Sequence, residues 1–212
     1  MTDFKPEKYR DQRKMSDLRA EKRRIRREME EVRKKMMPAR REAASRIITE
    51  RVLALPAFQM ARTVMAFVGM AGEPDTREIL SAVLREGKQL LLPRCLDEKR
   101  MIALPVTDLN RLRPGRFGIP EPGLPDAYKE SFIDETELPE PDLILIPCVA
   151  ATEAGARLGH GAGYYDRFLE ARKDFRVGLC FRTCILDSLP EEETDRRLDL
   201  VIHDGGEWTH GI

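Results

Sequence analysis

Long apolar runs are missing from this sequence. No stretch of its 212 residues approaches the roughly 20 consecutive apolar residues that a membrane-spanning helix requires. The N-terminus is polar and charged, whereas a secretory signal peptide would carry an apolar segment there. These absences predict a cytoplasmic protein without a membrane partner. The length suits one sizeable hydrophobic core and is short for two.

Cysteine pairs with metal-binding or redox spacing are also missing. The four cysteines, Cys95, Cys148, Cys180 and Cys184, lie in apolar segments, with no C-x-x-C spacing and no nearby histidine cluster. We therefore expect buried, reduced thiols. The sequence also lacks a recognisable Ser/His or Cys/His constellation, so nothing in it indicates a protein nucleophile.

The net charge is zero, but the charges are unevenly distributed. Residues 1–51 contain 18 Lys and Arg against 10 Asp and Glu, and the rest of the chain contains 19 against 27. Such a basic segment could bind nucleic acid, or it could pack on the acidic remainder of the same molecule and offer cations to a phosphate ligand. Composition does not choose between these alternatives.

The N-terminal region predicts an extension followed by a long helix. Residues 1–15 show no apolar periodicity, so we expect a flexible extension there and a single domain over 16–212. The first helix should run from Ser16, as its N-cap, to about Met37. Its narrow apolar stripe is interrupted by Lys22.

Beyond the first helix the pattern changes to that of an α/β protein. The second helix should begin near Pro38, which suits a first turn, and end at Pro56. Short runs rich in Val, Ile, Leu and Phe follow, and they predict strands. The predicted strands cover 63–68, 89–92, 101–106, 143–147, 176–181 and 198–202.

A helix is predicted over 76–85, between the first two strands. Asp75 and Glu78 have the spacing of a capping box at its start, and Gly87 follows its end. This βαβ unit indicates a largely parallel sheet with helices on both faces. Residues 107–141 are rich in Pro and Gly and weakly periodic, so we expect a long surface excursion with a function.

The most informative segment runs from a buried strand through a glycine-rich loop into a helix. Gly155, Gly159, Gly161 and Gly163 allow backbone N–H groups to turn towards an anion, and a helix starting near Tyr164 would direct its positive dipole end there. The loop lacks the lysine of a P-loop and the acidic residue of a dinucleotide site. Taken alone, the glycines fit a plain strand-to-helix turn about as well as a phosphate site.

Asp166 lies in the first turn of that predicted helix. Such an acid is commonly a partner of the helix dipole and nothing more. Next to a bound polyphosphate its carboxylate would be repelled unless a divalent cation lay between them, which indicates Mg²⁺. Arg157 could add a fixed positive charge.

Four motifs follow one another along the chain: K-x-x-I-R at 22–26, E-x-D-T at 73–76, G-I-x-E-P at 118–122 and RLGHGAGYYDRFL at 157–169. The last resembles the signature R-x-G-x-G-x-G-Y-Y-D-x-x-L of the 5-formyltetrahydrofolate cyclo-ligase family, and the others are similar to further motifs of that family in the same order. The resemblance extends from residue 16 to about residue 203. It implies a three-layer α/β/α fold with a largely parallel sheet, like that of sugar-phosphate isomerases and CoA transferases.

The resemblance also implies a reaction. ATP and Mg²⁺ would drive the cyclisation of 5-formyltetrahydrofolate to 5,10-methenyltetrahydrofolate, with release of ADP and phosphate. The protein would mainly position its substrates and neutralise charge. We expect a monomer whose partners are ATP and 5-formyltetrahydrofolate.

On the nucleotide side, the resemblance implies that Lys22 and Arg26 bind the ATP phosphates and serve catalysis. They lie at i and i+4, so both side chains can reach one anion. This would explain a lysine on an apolar stripe, for which snorkelling from a packed face is the alternative. The implied ATP loop comprises Arg157, Leu158, Gly159, His160, Gly161, Ala162, Gly163, Tyr164 and Tyr165.

On the folate side, the resemblance implies contacts from Val68, Glu73, His160, Gly161, Ala162, Gly163 and Tyr164. A carboxylate such as that of Glu73 suits a pterin because it can accept two parallel N–H bonds; a solvated loop acid is the simpler alternative. Asp166 would be a Mg²⁺ ligand, with Asp195 as a second acid near the metal. Residues 118–122 would form a lid segment.

Three positions depart from the family pattern. His160 stands where Tyr or Arg is common, Ala162 where Gly or Lys is common, and Thr194 where His is common. Two rival functions would keep the fold: a nucleic-acid-binding paralogue that uses the basic segment 19–46, or an enzyme of sugar phosphates or CoA esters. Interleaved acids and few aromatics disfavour the first, and the ATP motifs together with Glu73 disfavour the second.

Overall fold

The computed structural model describes residues 6–124 and 138–206, with side chains from Met15 onward. Ten strands occur within these residues: β1 (Thr63–Met65), β2 (Gln89–Cys95), β3 (Met101–Val106), β4 (Arg113–Pro114), β5 (Pro120–Glu121), β6 (Leu143–Pro147), β7 (Ala150–Ala151), β8 (Arg157–Leu158), β9 (Phe175–Leu179) and β10 (Leu200–Ile202). Six of them form the central sheet in the order β10-β9-β6-β1-β2-β3. Its neighbours are parallel except β2 and β3. The predictions of these six strands and of a largely parallel sheet are confirmed.

Five α-helices lie within the same residues: α1 (Pro6–Lys34), α2 (Pro38–Ala54), α3 (Pro56–Met60), α4 (Arg77–Arg85) and α5 (Tyr164–Phe168). The prediction that Ser16 caps the first helix is wrong, because α1 begins at Pro6 and contains Ser16 in its interior. Residues 6–15 are rich in Glu, Lys, Arg and Gln, which favour helix without any apolar stripe. The boundary between an extension at 1–15 and a domain at 16–212 stays a prediction, and residues 1–5 lie outside the described ones.

Helix α4 confirms the helix predicted after the first strand, but its predicted capping box is wrong. Thr76 is the N-cap, and its side chain makes no capping hydrogen bond. Asp75 accepts hydrogen bonds from the backbone N–H and the guanidinium of Arg77. Gly87 follows the helix with a φ of 71°, in the left-handed region expected of a glycine at a helix C-terminus.

Alternate residues of the central strands face two separate hydrophobic layers. Leu143 and Leu145 of β6 pack with residues of α2, α3 and α4, whereas Ile144 and Ile146 pack with residues of α1 and α5. A strand covered on both faces distributes its side chains in this way because of its two-residue repeat. The expected three-layer α/β/α arrangement is confirmed. No helix within the described ranges is long and apolar enough to cross a membrane.

The strand order creates a crevice between β1 and β6. From β1 the sheet continues through β2 on one side and through β6 and β9 on the other. Open parallel sheets bind ligands where the strand order reverses in this way, at the carboxyl ends of the strands. The loop that follows β1 and the segment that follows β6 both leave the sheet at that edge. They carry the E-x-D-T motif and the glycine-rich loop.

Candidate active site

The glycine-rich loop between β8 and α5 lies against α1. Gly161 and Gly163 have φ values of 103° and 71°, which L side chains rarely adopt. A Cβ atom on Gly161 would lie 3.2 Å from the guanidinium carbon of Arg26, and Arg26 Nε donates to the carbonyl oxygen of Gly159 (2.8 Å). Glycine therefore permits both the turn of this loop and the close approach of a cation from α1.

Lys22 lies one turn before Arg26 on α1 and is buried, with 4% of its surface exposed. Its Nζ donates to Glu192 Oε2 (2.7 Å) and to Asp195 Oδ2 (2.5 Å). The hydrogen bond from Lys22 lowers the pKa of Glu192. The snorkelling alternative is wrong, because the ammonium is directed at two carboxylates of the protein and away from solvent. The sequence analysis did not identify Glu192. The feature that could have pointed to it is the run of acidic residues just before Asp195.

Asp166 is held by a cation and by the backbone. The Arg157 side chain is 3% exposed, and its Nη2 donates to Asp166 Oδ1 at 2.5 Å. The backbone N–H of Arg196 donates to the same oxygen at 3.1 Å. Since Arg196 directly follows Asp195, the two predicted metal acids come from adjoining segments. Helix α5 has five residues, so these contacts fix Asp166 more than a helix dipole does.

Glu73 connects the loop after β1 to the glycine-rich loop. It is 5% exposed, its Oε2 accepts from the backbone N–H of Met70 (2.9 Å), and its Oε1 lies 2.7 Å from His160 Nε2. The alternative of a solvated loop acid is wrong. Val68 lies in the same loop, half-buried against the core. The structure thus brings Glu73 and His160 together, with Val68 earlier in the same loop as Glu73.

The other predicted loop residues differ in their surroundings. Leu158 is buried in the core layer next to α1, whereas Ala162 is exposed. Tyr164 is buried, and its hydroxyl donates to the carbonyl oxygen of Asp97 (2.6 Å). Burial raises the pKa of Tyr165, whose hydroxyl has no hydrogen-bond partner in the described part of the chain. Leu158 therefore supports the loop from beneath.

The predicted lid segment belongs to a ribbon formed by β4 and β5. Glu121 is 4% exposed and its Oε2 lies 3.4 Å from Arg94 Nη1 of β2. Burial raises the pKa of Glu121, and attraction to Arg94 opposes that effect. This end of the ribbon is therefore fixed to the sheet. Of the excursion predicted at 107–141, residues 125–137 lie outside the described ones.

The predicted donors for a metal ion are Asp166 and Asp195. Among the described residues there is no group of three or more His, Cys, Asp or Glu side chains that could hold a metal. Mg²⁺ usually binds through one or two carboxylates and completes its octahedron with phosphate and water oxygens. Two aspartates from adjoining segments beside a glycine-rich loop fit that type of coordination.

Part of the basic surface of α1 is paired with acids of the same helix. Arg24 forms ion pairs with Glu21 and Glu28, and Lys34 forms one with Glu30. Such i, i+3 and i, i+4 pairs reduce the positive field that a nucleic-acid interface would need.

Comparison with known proteins agrees with these motifs. A family model described as the 5-formyltetrahydrofolate cyclo-ligase family matches residues 18–204. A probable 5-formyltetrahydrofolate cyclo-ligase of Caenorhabditis elegans is 32% identical over 74% of this chain and 80% of its own length. The 5-formyltetrahydrofolate cyclo-ligase of Escherichia coli K12 is 31% identical over 74% of this chain and 86% of its own. The solved structure of Aquifex aeolicus 5,10-methenyltetrahydrofolate synthetase has a TM-score of 0.70 and 27% identity, covering 89% of this chain and 96% of that one.

Proposed function

The chain belongs to the 5-formyltetrahydrofolate cyclo-ligase family and is an enzyme with that activity, and we propose that the crevice between β1 and β6 is its ATP- and Mg²⁺-dependent active site. One observation carries this proposal: α1, the loop after β1 and the glycine-rich loop converge there. Arg26 contacts the glycine-rich loop, and His160 of that loop contacts Glu73. The rival nucleic-acid and sugar-phosphate functions have no support in the comparisons.

The reaction requires the formyl oxygen to leave as something better than hydroxide. The formyl oxygen attacks the γ-phosphorus of ATP, the bond to ADP breaks, and the folate N10 then adds to the formyl carbon, loses its proton and displaces phosphate. Lys22 and Arg26 would neutralise the charge on the transferred phosphoryl group, and the backbone N–H groups of residues 157–165 would bind the same polyphosphate. Positioning and electrostatics suffice, so no protein nucleophile is needed.

Asp166 and Asp195 would hold Mg²⁺ against the nucleotide. The ion would supply positive charge that both the phosphate oxygens and the two carboxylates attract. Without it, these negative groups would repel each other. Each aspartate lies against a cation of the protein, Arg157 or Lys22. These ion pairs use Asp166 Oδ1 and Asp195 Oδ2, so the other oxygen of each carboxylate would bind the metal.

Glu73 would orient the folate. Its carboxylate is fixed by the Met70 N–H and lies beside His160, so it can accept N–H bonds from the pterin edge with little loss of side-chain freedom. Val68 would form an apolar wall next to the ring. The γ-phosphate and the formyl group would meet between this side of the crevice and α1.

We also propose that the enzyme works as a monomer in the cytoplasm. The contacts that join α1, the glycine-rich loop and the loop after β1 form within a single chain. Sedimentation at working concentration gives the oligomeric state directly. A species of twice the chain mass of 24.3 kDa would contradict this part of the proposal.

The function is tested by incubating the purified protein with ATP, Mg²⁺ and 5-formyltetrahydrofolate. We expect one ADP for each methenyltetrahydrofolate formed, no product without the folate, and no product when a chelator removes the metal. Equally fast ATP hydrolysis without the folate would show that the coupled mechanism is wrong. Turnover of sugar phosphates or CoA esters in its place would favour the rival enzyme.

A further inference from the structure

The ammonium of Lys22 has an unusual set of partners for a phosphate-binding lysine. A lysine ammonium has three N–H donors, and two of those of Lys22 go to Glu192 and Asp195. The lysine side chain is 6% exposed, whereas the two carboxylates retain 22% and 19% of their surface. The cation therefore lies beneath the two acids, and a ligand approaching from solvent meets their negative charge as well.

The two carboxylates belong to one rigid turn. The backbone N–H of Glu192 donates to Asp195 Oδ2 (2.8 Å), and the backbone N–H of Asp195 donates to the carbonyl oxygen of Glu192 (3.0 Å). Arg19 approaches Glu192 Oε1 at 3.4 Å, but its side chain is 61% exposed and contributes little. Two carboxylates therefore share one buried ammonium, and Arg26 of α1 also lies within electrostatic range of both.

We propose that Glu192 is a specificity-determining residue that keeps Lys22 from binding a metal-free polyphosphate, so that the nucleotide is accepted as its divalent-cation complex. A metal-free polyphosphate must approach the two carboxylates closely to reach the buried ammonium of Lys22. A nucleotide that brings its own cation offers Asp195 a new partner. The third N–H of Lys22 can then reach phosphate, while Glu192 keeps the ammonium in place.

This inference rests on the proposed function, in which Lys22 binds ATP phosphates and Asp195 is a metal acid. It adds a role for Glu192, which lies outside the four motifs. It also predicts a property that packing alone would not produce. Removing the charge of Glu192 should improve the binding of metal-free ATP, whereas loss of a merely structural contact would weaken every ligand or none.

The test measures the dissociation constants of metal-free ATP, with chelator present, and of Mg·ATP by calorimetry on the full-length protein. The wild type is compared with Glu192→Gln, which keeps an oxygen acceptor for Lys22, and with Glu192→Ser, which removes the same charge with a smaller side chain. Glu193→Gln is the matched control, because Glu193 is exposed and has no hydrogen bond or ion pair in the part of the chain described.

In both Glu192 variants we expect metal-free ATP to bind about tenfold more tightly and Mg·ATP to change by less than about threefold. The KM for 5-formyltetrahydrofolate should stay as in the wild type, and Glu193→Gln should behave as the wild type throughout. An unchanged ratio of the two dissociation constants in the Glu192 variants would overturn the inference, as would an equal change in Glu193→Gln. A wild-type protein that binds no Mg·ATP would instead overturn the proposed function, on which the inference depends.

Discussion

Lys22 and Arg157 are cations buried in the candidate site, and each lies against carboxylates of the same chain. Lys22 contacts Glu192 and Asp195, and Arg157 contacts Asp166. A buried charge without a partner costs several kcal/mol, whereas a paired one with good geometry is tolerated. These pairs explain how the fold can bury the charges that the proposed reaction needs.

Lys22→Met provides the sharpest test at this scale. Methionine fits the apolar stripe of α1, but it leaves Glu192 and Asp195 facing each other without their shared cation. We expect kcat/KM to fall by ~10² to 10³, about 3 to 4 kcal/mol of transition-state stabilisation. We also expect the free energy of unfolding to fall by about 1 to 3 kcal/mol, since both carboxylates are partly exposed.

Turnover should be measured well below the melting temperature, so that the loss of stability does not contribute to the loss of activity. Arg27→Met is the matched control, because Arg27 is an exposed cation of the same helix. It should leave both quantities nearly unchanged. Full activity in Lys22→Met would remove α1 from the active site.

The sequence could identify Lys22 as unusual but could not identify its partners. A lysine on an apolar stripe is visible from helical spacing. Glu192 and Asp195 lie 170 and 173 positions further along the chain, where no local periodicity relates them to α1. The pairing of Glu73 with His160 was not predicted either, because the two residues lie 87 positions apart. The resemblance implied only that both contact the folate.

At the scale of elements, the loop after β1 is held by a compact set of hydrogen bonds. Thr76 Oγ1 accepts from the backbone N–H of Gly69 (3.1 Å) and donates to the carbonyl oxygen of Phe67 (2.6 Å). Within the loop, the backbone N–H of Glu73 donates to the carbonyl oxygen of Met70 (2.9 Å). The loop is thereby closed on itself, and this fixes the direction of the Glu73 carboxylate.

Gly69→Ala should disturb this loop. A Cβ atom there would lie 2.2 Å from the backbone oxygen of Pro74, so the backbone must move and carry Glu73 with it. We expect the KM for 5-formyltetrahydrofolate to rise about tenfold with little change in the KM for ATP, and stability to fall by about 1 to 3 kcal/mol. Steady-state kinetics with each substrate varied in turn measures the difference.

Gly87→Ala serves as the control for backbone strain. Gly87 has a φ of 71° and open space around its Cβ direction, so alanine should cost about 1 kcal/mol of stability through strain alone. Both KM values should remain unchanged. A rise in the KM for ATP in Gly69→Ala that matches the rise for the folate would show that this loop serves the nucleotide as well.

The elements themselves were mostly predictable, and the exceptions have local causes. The six sheet strands follow from short β-branched and aliphatic runs that the core buries on both faces. The start of α1 was missed because helix propensity carries a helix beyond its apolar stripe. The capping box failed because the backbone N–H of Asp75, which Glu78 would have to accept, donates to Ser45 Oγ, and Glu78 pairs with Arg85.

At the scale of the whole molecule, the cysteines report on the integrity of the core. Cys148, Cys180 and Cys184 are buried and Cys95 is partly buried, all as free thiols. Burial raises the pKa of Cys95 to about 11 and that of Cys148 to about 12. The protonated thiols are therefore favoured in the folded state, and this contribution to stability is lost as the pH rises above about 9.

We expect slow alkylation of the native protein by iodoacetamide at pH 8, with Cys95 modified first. All four cysteines should react quickly once guanidinium unfolds the chain, because unfolding exposes the thiols to the reagent and lets them ionise to thiolates. Mass spectrometry of the labelled protein gives the order of modification. Rapid labelling of Cys148 in the native protein would show that the layer between the sheet and α1 opens.

The contact between Lys22 and Asp195 joins residues 173 positions apart, and this distance along the chain has a consequence for biosynthesis. Closing so long a loop costs conformational entropy before any contact offsets it, and folds dominated by distant contacts form slowly. During translation α1 leaves the ribosome before most of the sheet has been synthesised. At that stage Lys22 still lacks its counter-ions Glu192 and Asp195. Nucleotide affinity would then appear late in folding, and a nascent chain stalled before Asp195 should not be retained on immobilised ATP.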